Sequence, residues 1–313
     1  MRTLFRYSLA AILLLIGWLL GSVSPAATLY AQSGQTHIVT SAAGNGSGTL
    51  RAILLAAQAG DTIRFDPLLF PTTAPTSIYL QTTLPAITMD RLTIDASNAG
   101  VILDGGRIVQ DGLVIAGTQG VVIQGLELRN FLNSGITLLA NTRDTLIGGQ
   151  PNGGAKPQGQ GNVISGNEGN GIWLEGATSS GNRIIGNYIG VKADGLAPLR
   201  NTGSGIILSK GVRQTVIEQN VISSNNGDGI RLNSRANIDE PRIEDVKIRN
   251  NRIGLTRTGD ALRGNGRDGI FVGEAVNVEI GGNELTQGNL IADNGGNGIV
   301  LNGATQVRIF FNL

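Results

Sequence analysis

From about residue 60 onward the chain alternates apolar stretches of two or three residues with turns rich in Gly and Asn, so strands and tight bends are predicted rather than helices. Two signatures take turns along it. One is Gly-Ile-x-aliphatic, its isoleucines at Ile136, Ile172, Ile206, Ile230, Ile270 and Ile299. The other is Asn-x-aliphatic, at Asn162, Asn187, Asn220, Asn251 and Asn289, with Asn312 before the last residue. Repetition at this spacing predicts a solenoid.

The shortest complete unit, residues 215–232, offers three strands at 216–218, 221–223 and 230–232. Alternate side chains of a strand face opposite ways, so Ile217, Ile222, Ile230 and Leu232 point inward while Glu218, Arg231 and Asn233 point out. No single coil can bury its own apolar edge. Coils therefore stack about 4.8 Å apart, each strand pairing in parallel with its copies above and below. A sharp bend between strands calls for a left-handed backbone residue, which Gly and Asn tolerate best, and this assigns the Asn series a structural role in a stacked ladder. Gly125 is expected to take the ladder position in the first regular coil.

The two ends read differently. Residues 48–59 predict an amphipathic helix beginning near Ser47 or Thr49 and stopped by Gly60, placed as a cap over the apolar interior. The first strand is expected at residues 61–65, with less regular coils following at 78–80, 92–94, 101–103 and 113–115. At the far end Ile309 aligns with Ile217 and Asn312 with Asn220, so a coil restarts there, and the chain is expected to continue in a longer protein. Insertions at 148–161 and 233–245 predict surface loops. A shift of 64 residues superposes Gly195 and Asn201 on Gly259 and Asn265, the mark of a duplicated two-coil unit.

Composition agrees and narrows the chemistry. Gly is 47 of 313 residues and aromatics are 4%, which suits a chain that turns often and stacks small aliphatics. A net charge of +1 with scattered cations offers no footprint for nucleic acid. With no Cys and His37 alone, disulfides, thiolate metal sites and imidazole clusters are excluded, and His37 is read as inert. Arg2 and Arg6, then an apolar run to about Val23 and small residues to Ala31, read as an export signal over residues 1–31. The alternative is an uncleaved anchor. Either form implies a secreted or cell-surface protein, with residues 32–313 as one domain and no other membrane segment.

Residues 161–167, 182–190 and 226–230 resemble the repeats of right-handed parallel β-helix proteins of the pectin-lyase-like superfamily, and Ala52-Ile53 with residues 59–63 resembles its N-terminal cap and first strand. The resemblance spans about residues 36–313. It implies an all-β, right-handed, three-sided parallel β-helix with a short capping helix, and it implies a glycan track along the outer face of the Gly-Ile sheet. Activity does not follow from the fold.

On that face one outward column reads Thr137, Trp173, Ile207, Arg231, Phe271 and Val300, and a second Leu139, Glu175, Ser209, Asn233, Gly273 and Asn302. Trp173 and Phe271 are candidate sugar platforms, three rungs and about 14 Å apart, with Arg231 between them and Asn233 beside them; packing beneath the insertions is the alternative. A lyase would need carboxylates converging on Ca²⁺ and a basic residue, for which Glu175, Asp228 and Asp268, with Arg231 or Lys210, are dispersed candidates. Asp228 and Asp268 equally suit turns. The catalytic sets implied for polygalacturonases and alginate epimerases have no match, and no cofactor is required unless Ca²⁺ serves a lyase. Two functions stay open: an exported scaffold or adhesin with a polysaccharide contact, and a polysaccharide lyase or hydrolase with Arg231 or Glu175 in its site.

Overall fold

The computed structural model describes residues 34–150, 159–233, 240–261 and 263–313. The export signal read at 1–31 lies outside these residues, as do 151–158 of the first expected loop and 234–239 of the second. Among the described residues the strands form three parallel sheets. Sheet A has ten strands, from Thr36–Val39 to Arg308–Phe310, sheet B eight, from Thr76–Tyr79 to Leu290–Ile291, and sheet C seven, from Leu113–Ile115 to Ile299–Leu301. A coil visits A, B and C in turn, as Val216–Glu218, Val221–Ile222 and Ile230–Asn233 do.

The interior is built as the alternation requires. Ile136, Ile172, Ile206, Ile230 and Ile270 stand in register in sheet C and all are fully buried, with Ile299 continuing the column at the last coil. Burial of each such side chain contributes about 1.5–3 kcal/mol, set against the ordering of a short rung. Ile217 and Ile222 line the other two walls and are equally buried. At the far end Ile309 pairs with Ile280 in the Ile217 column, as aligned, and it is 45% exposed.

The Asn series forms one hydrogen-bonded ladder through the turn between sheets A and B. Asn162, Asn187, Asn220, Asn251 and Asn289 each donate from the side-chain amide to the Oδ1 of the next Asn, ending on Asn312, at 2.8–3.0 Å. Two expectations need correction. The left-handed residue is not the ladder Asn but the one before it: Gly186, Gln219, Asn250 and Phe311 have positive φ, whereas the ladder residues do not. For the same reason Gly125, with φ of 73°, holds the bend, and the ladder position of the first coil belongs to Leu126, whose N–H donates to Asn162 Oδ1. The Asn identity is thus demanded by its side-chain amide.

A second ladder, absent from the sequence reading, runs through the turn between sheets B and C. Asn167, Asn201, Asn225, Asn265 and Asn294 are linked by amide bonds of 2.9 Å. Its signal was available, because each of these Asn residues stands four positions before the Gly of a Gly-Ile pair.

The N-terminal end departs from expectation in two ways. Strand Thr36–Val39 precedes the helix and pairs with Thr62–Phe65, so the strand expected to be first is the second of sheet A. This places His37 on the solenoid, its Nε2 donating to Asp61 Oδ2 at 2.8 Å. The helix is Leu50–Ala56, capped by Thr49 Oγ1, which accepts from the Ala52 N–H. It buries Leu50 and Leu54 in the same core as Val39 and Ile63, as a cap should. It stops short of Ala59 because Asp61 takes the Gln58 N–H at 2.9 Å and the Gln35 N–H at 2.7 Å, fixing the chain in an extended path. No helix among the described residues is long and apolar enough to cross a membrane.

The same bonds set an acid limit. The Gln58 N–H, with His37 and the Gln35 N–H, holds the Asp61 carboxyl below its usual range against the opposing effect of burial. At Asp95 and Asp104 burial acts to raise the pKa, but hydrogen bonds from Ser97 and Gln124, and from Asn130, Gly106 and Arg129, outweigh it. Folded-state values below the unfolded one mean stability that is present above about pH 4 and is lost as pH falls through the folded values. Thermal unfolding followed against pH should show this acid limb, and Asp61→Asn should flatten it; an unchanged limb would contradict the assignment.

Candidate functional site

The outer face of sheet C is ordered by register alone. Thr137, Trp173, Ile207, Arg231, Phe271 and Val300 pair successively, and Glu175, Ser209 and Asn233 form the neighbouring column. Parallel pairing of strands only three or four residues long puts side chains far apart in sequence about 4.8 Å apart on one surface. Two separate clusters result.

The first surrounds a groove of about 360 Å³ lined by Asn170, Trp173, Ser209, Lys210, Asn233 and Glu240. Trp173 is half-buried and fixed, its indole N–H donating to Ser209 Oγ at 3.0 Å. Lys210, with left-handed backbone at φ 55°, swings past the strand end so that its Nζ lies 6.0 Å from the Trp173 ring and 2.8 Å from Glu175 Oε2. The contact that Lys210 makes by donating to Glu175, followed by the carboxylate's charge, raises the Lys210 pKa, so the amine stays an ammonium at neutral pH. An aromatic plate, a fixed cation and flanking amides are suited to a glycan that carries carboxylates.

The second cluster is closed on itself. Arg231 Nη1 donates to Asp228 Oδ2 at 2.8 Å, and its guanidinium carbon stands 4.1 Å from the centre of the Phe271 ring. Asp228 is almost wholly buried, and its other oxygen accepts the Asp268 N–H at 3.1 Å. Asp268 in turn accepts from the Asn297 N–H at 2.8 Å. Both aspartates are therefore rungs of a turn ladder, each spent on the backbone of the coil above.

Of the residues singled out from sequence, the structure brings together Trp173, Glu175 and Asn233, with Lys210, and leaves Arg231 and Phe271 outside the groove. Glu175, Asp228 and Asp268 do not converge, and among the described residues no group of three or more His, Asp or Glu side chains is gathered as a metal site would need. Asn170 and Glu240 were missed as groove residues. Asn170 reads in sequence as an ordinary turn residue before Gly171, and Glu240 lies at the end of a long insertion, so nothing local marked either one.

No curated protein sequence matches this chain. Among solved structures, a mutant of the periplasmic alginate epimerase AlgG shares 14% identity at a TM-score of 0.47, covering 85% of this chain and 57% of that one. The A-module of the mannuronan C-5 epimerase AlgE6 of Azotobacter vinelandii shares 17% at 0.48, over 89% of this chain and 72% of that one. The alginate lyase of Paenibacillus sp. str. FPU-7 shares 17% at 0.40, over 89% and 99%. The chain thus spans less than two thirds of the first of these proteins. Residues 111–313, well over half the chain, match the family described as the right handed beta helix region, and the chain belongs to that family.

Proposed function

We propose that this is an exported protein, secreted or held at the cell surface, that acts on an acidic polysaccharide lying in the sheet C groove. The observation that carries this reading is the fixed Trp173 plate with the Lys210 ammonium and Glu175 carboxylate 2.8 Å apart beside it. Lys210 would meet the carboxylate of a uronate residue and lower the charge that builds up when the adjacent C–H bond breaks. Glu175, released from Lys210 by that contact, would accept the proton, the electron pair passing into the carboxylate. Returning a proton gives back or inverts the sugar; alternatively the electron pair forms a C=C bond as the neighbouring linkage oxygen leaves, taking a proton from water, and the chain is cleaved.

A second reading is a scaffold or adhesin that binds the glycan without turning it over. It is favoured by Arg231, the other candidate base, whose charge and flat face are taken up by Asp228 and Phe271. Incubating uronate-containing polymers with the protein in deuterated water separates the two. The enzymatic reading expects deuterium at the carbon next to the carboxylate, or unsaturated ends. Glu175→Gln should bind normally while losing this exchange by about 100-fold or more, and Trp173→Ala should weaken binding by about tenfold. Binding without exchange leaves the scaffold reading, and no binding to any uronate polymer ends both.

A further inference from the structure

Sheet B carries a feature that the sheet C groove does not use. The duplicated unit places Tyr188 and Arg252 in equivalent positions, two rungs apart on the outer face of that sheet, with Val221 between them. Each is followed by an insertion that folds back as a hairpin, closed by antiparallel bridges between Val191 and Pro198 and between Leu255 and Ala261. The hairpins clasp each other: Arg257 donates from its backbone N–H to the Gly195 carbonyl at 3.0 Å and from Nε to the Asp194 carbonyl at 2.8 Å. Gly195, at φ 66°, has no room for a side chain, since a Cβ there would meet Tyr188 at 2.8 Å and Arg257 at 3.0 Å.

This clasp gathers charge without neutralising it. Lys192, Arg200, Arg252, Arg257 and Arg263 stand on or beside the hairpins, and among the described residues none of them is paired with a carboxylate. Arg129, Lys210, Arg231 and Arg249, on other parts of the solenoid, all are. The two acids on the hairpins each have one oxygen engaged in their own turn: Asp194 Oδ1 accepts the Leu196 and Ala197 N–H groups, and Asp260 Oδ2 accepts the Thr258 hydroxyl at 2.6 Å. The Nε of Arg252 is buried with no hydrogen-bond partner, a donor that folding leaves unsatisfied. Tyr188 lies within the field of both Arg252 and Arg257, while burial raises its pKa and keeps it a neutral donor.

We infer that the paired hairpins form a second binding site, distinct from the sheet C groove, for a phosphate-bearing polyanion whose oxygens meet Arg252 and Arg257 beside Tyr188. A phosphate polymer fits better than a uronate polymer because its closely spaced charged groups can meet both guanidinium forks and the phenol at once, whereas the carboxylates of a uronate chain stand a whole sugar apart. The outlying Lys192, Arg200 and Arg263 would hold neighbouring phosphates of the same polymer.

The test is fluorescence anisotropy of the purified protein with labelled inorganic polyphosphate, competed by inorganic phosphate and by a uronate polymer. Binding should weaken with salt, and Arg252→Gln and Arg257→Gln should each weaken it by about tenfold. Lys192→Ala with Arg263→Ala, on exposed hairpin arms, should also weaken binding with the thermal transition unchanged, which covers the case in which the clasp variants loosen the fold. Inorganic phosphate should displace polyphosphate, and the uronate polymer should not. Absence of binding, affinity indifferent to all these variants, or displacement by the uronate polymer would each overturn the proposal. The last outcome would instead move the glycan of the sheet C reading to sheet B.

Discussion

Replacing Ile206 with Asp should abolish cooperative folding of the coils around it, at a cost above about 4 kcal/mol. Ile206 is fully buried, with Ile172 below it and Ile230 above it in the same inward column. A carboxylate there finds aliphatic neighbours on every side and no donor, and it cannot swing outward without moving its whole strand to the other face. Denaturant unfolding followed by circular dichroism should show the loss directly. Ile206→Val, which removes only one methylene, should cost about 0.5–1.5 kcal/mol. If Ile206→Asp left the transition near that of the Val variant, this position would have to be open to solvent and the stacked-column description would be wrong.

Asn220→Ala should be the second largest loss, about 3–5 kcal/mol, although it removes a small polar side chain. The Asn220 amide donates to the Ile184 carbonyl at 2.9 Å and to Asn251 Oδ1 at 3.0 Å, while its Oδ1 accepts from the Asn187 backbone at 2.8 Å and side chain at 3.0 Å. Removing the side chain leaves the buried Asn187 N–H without an acceptor and takes a donor from both the Ile184 carbonyl and Asn251 Oδ1. The neighbouring residue supplies the contrast. Gln219 carries the left-handed backbone at φ 59°, so Gln219→Gly should be neutral or slightly stabilising. Equal losses from the two substitutions, or tolerance of Asn220→Gly, would mean that the bend rather than the ladder selects Asn.

That pair of residues also shows how far the sequence could be read. A repeating Asn announces a repeating environment, and it was enough to predict the ladder from Asn162 to Asn312. It could not say whether the backbone or the side chain required the amide, because both uses favour the same residue type. The second ladder, from Asn167 to Asn294, is equally periodic, but its Asn residues lie within turns rich in Gly and Asn, where any of several polar positions could take the role. Strand Thr36–Val39 was less accessible. Its residues carry no repeat signature, and only pairing with Thr62–Phe65 makes it a strand.

The candidate site divides in the same way. The outward column holding Trp173, Arg231 and Phe271 was legible, since alternation fixes which side chains leave a strand. Which of them share a groove was not legible: Lys210 reaches back to Glu175 across a rung, and Arg231 turns away to the buried Asp228.

By itself the sequence determined the three-sided coil, the inward aliphatic columns and the cap, because these follow from a period of two within strands and a repeat between them. Only the tertiary structure decided which charges are spent within the fold and which remain for a ligand. Ion pairs and hydrogen bonds between coils join residues about 25 to 40 positions apart, and their geometry depends on stacking that no local pattern encodes.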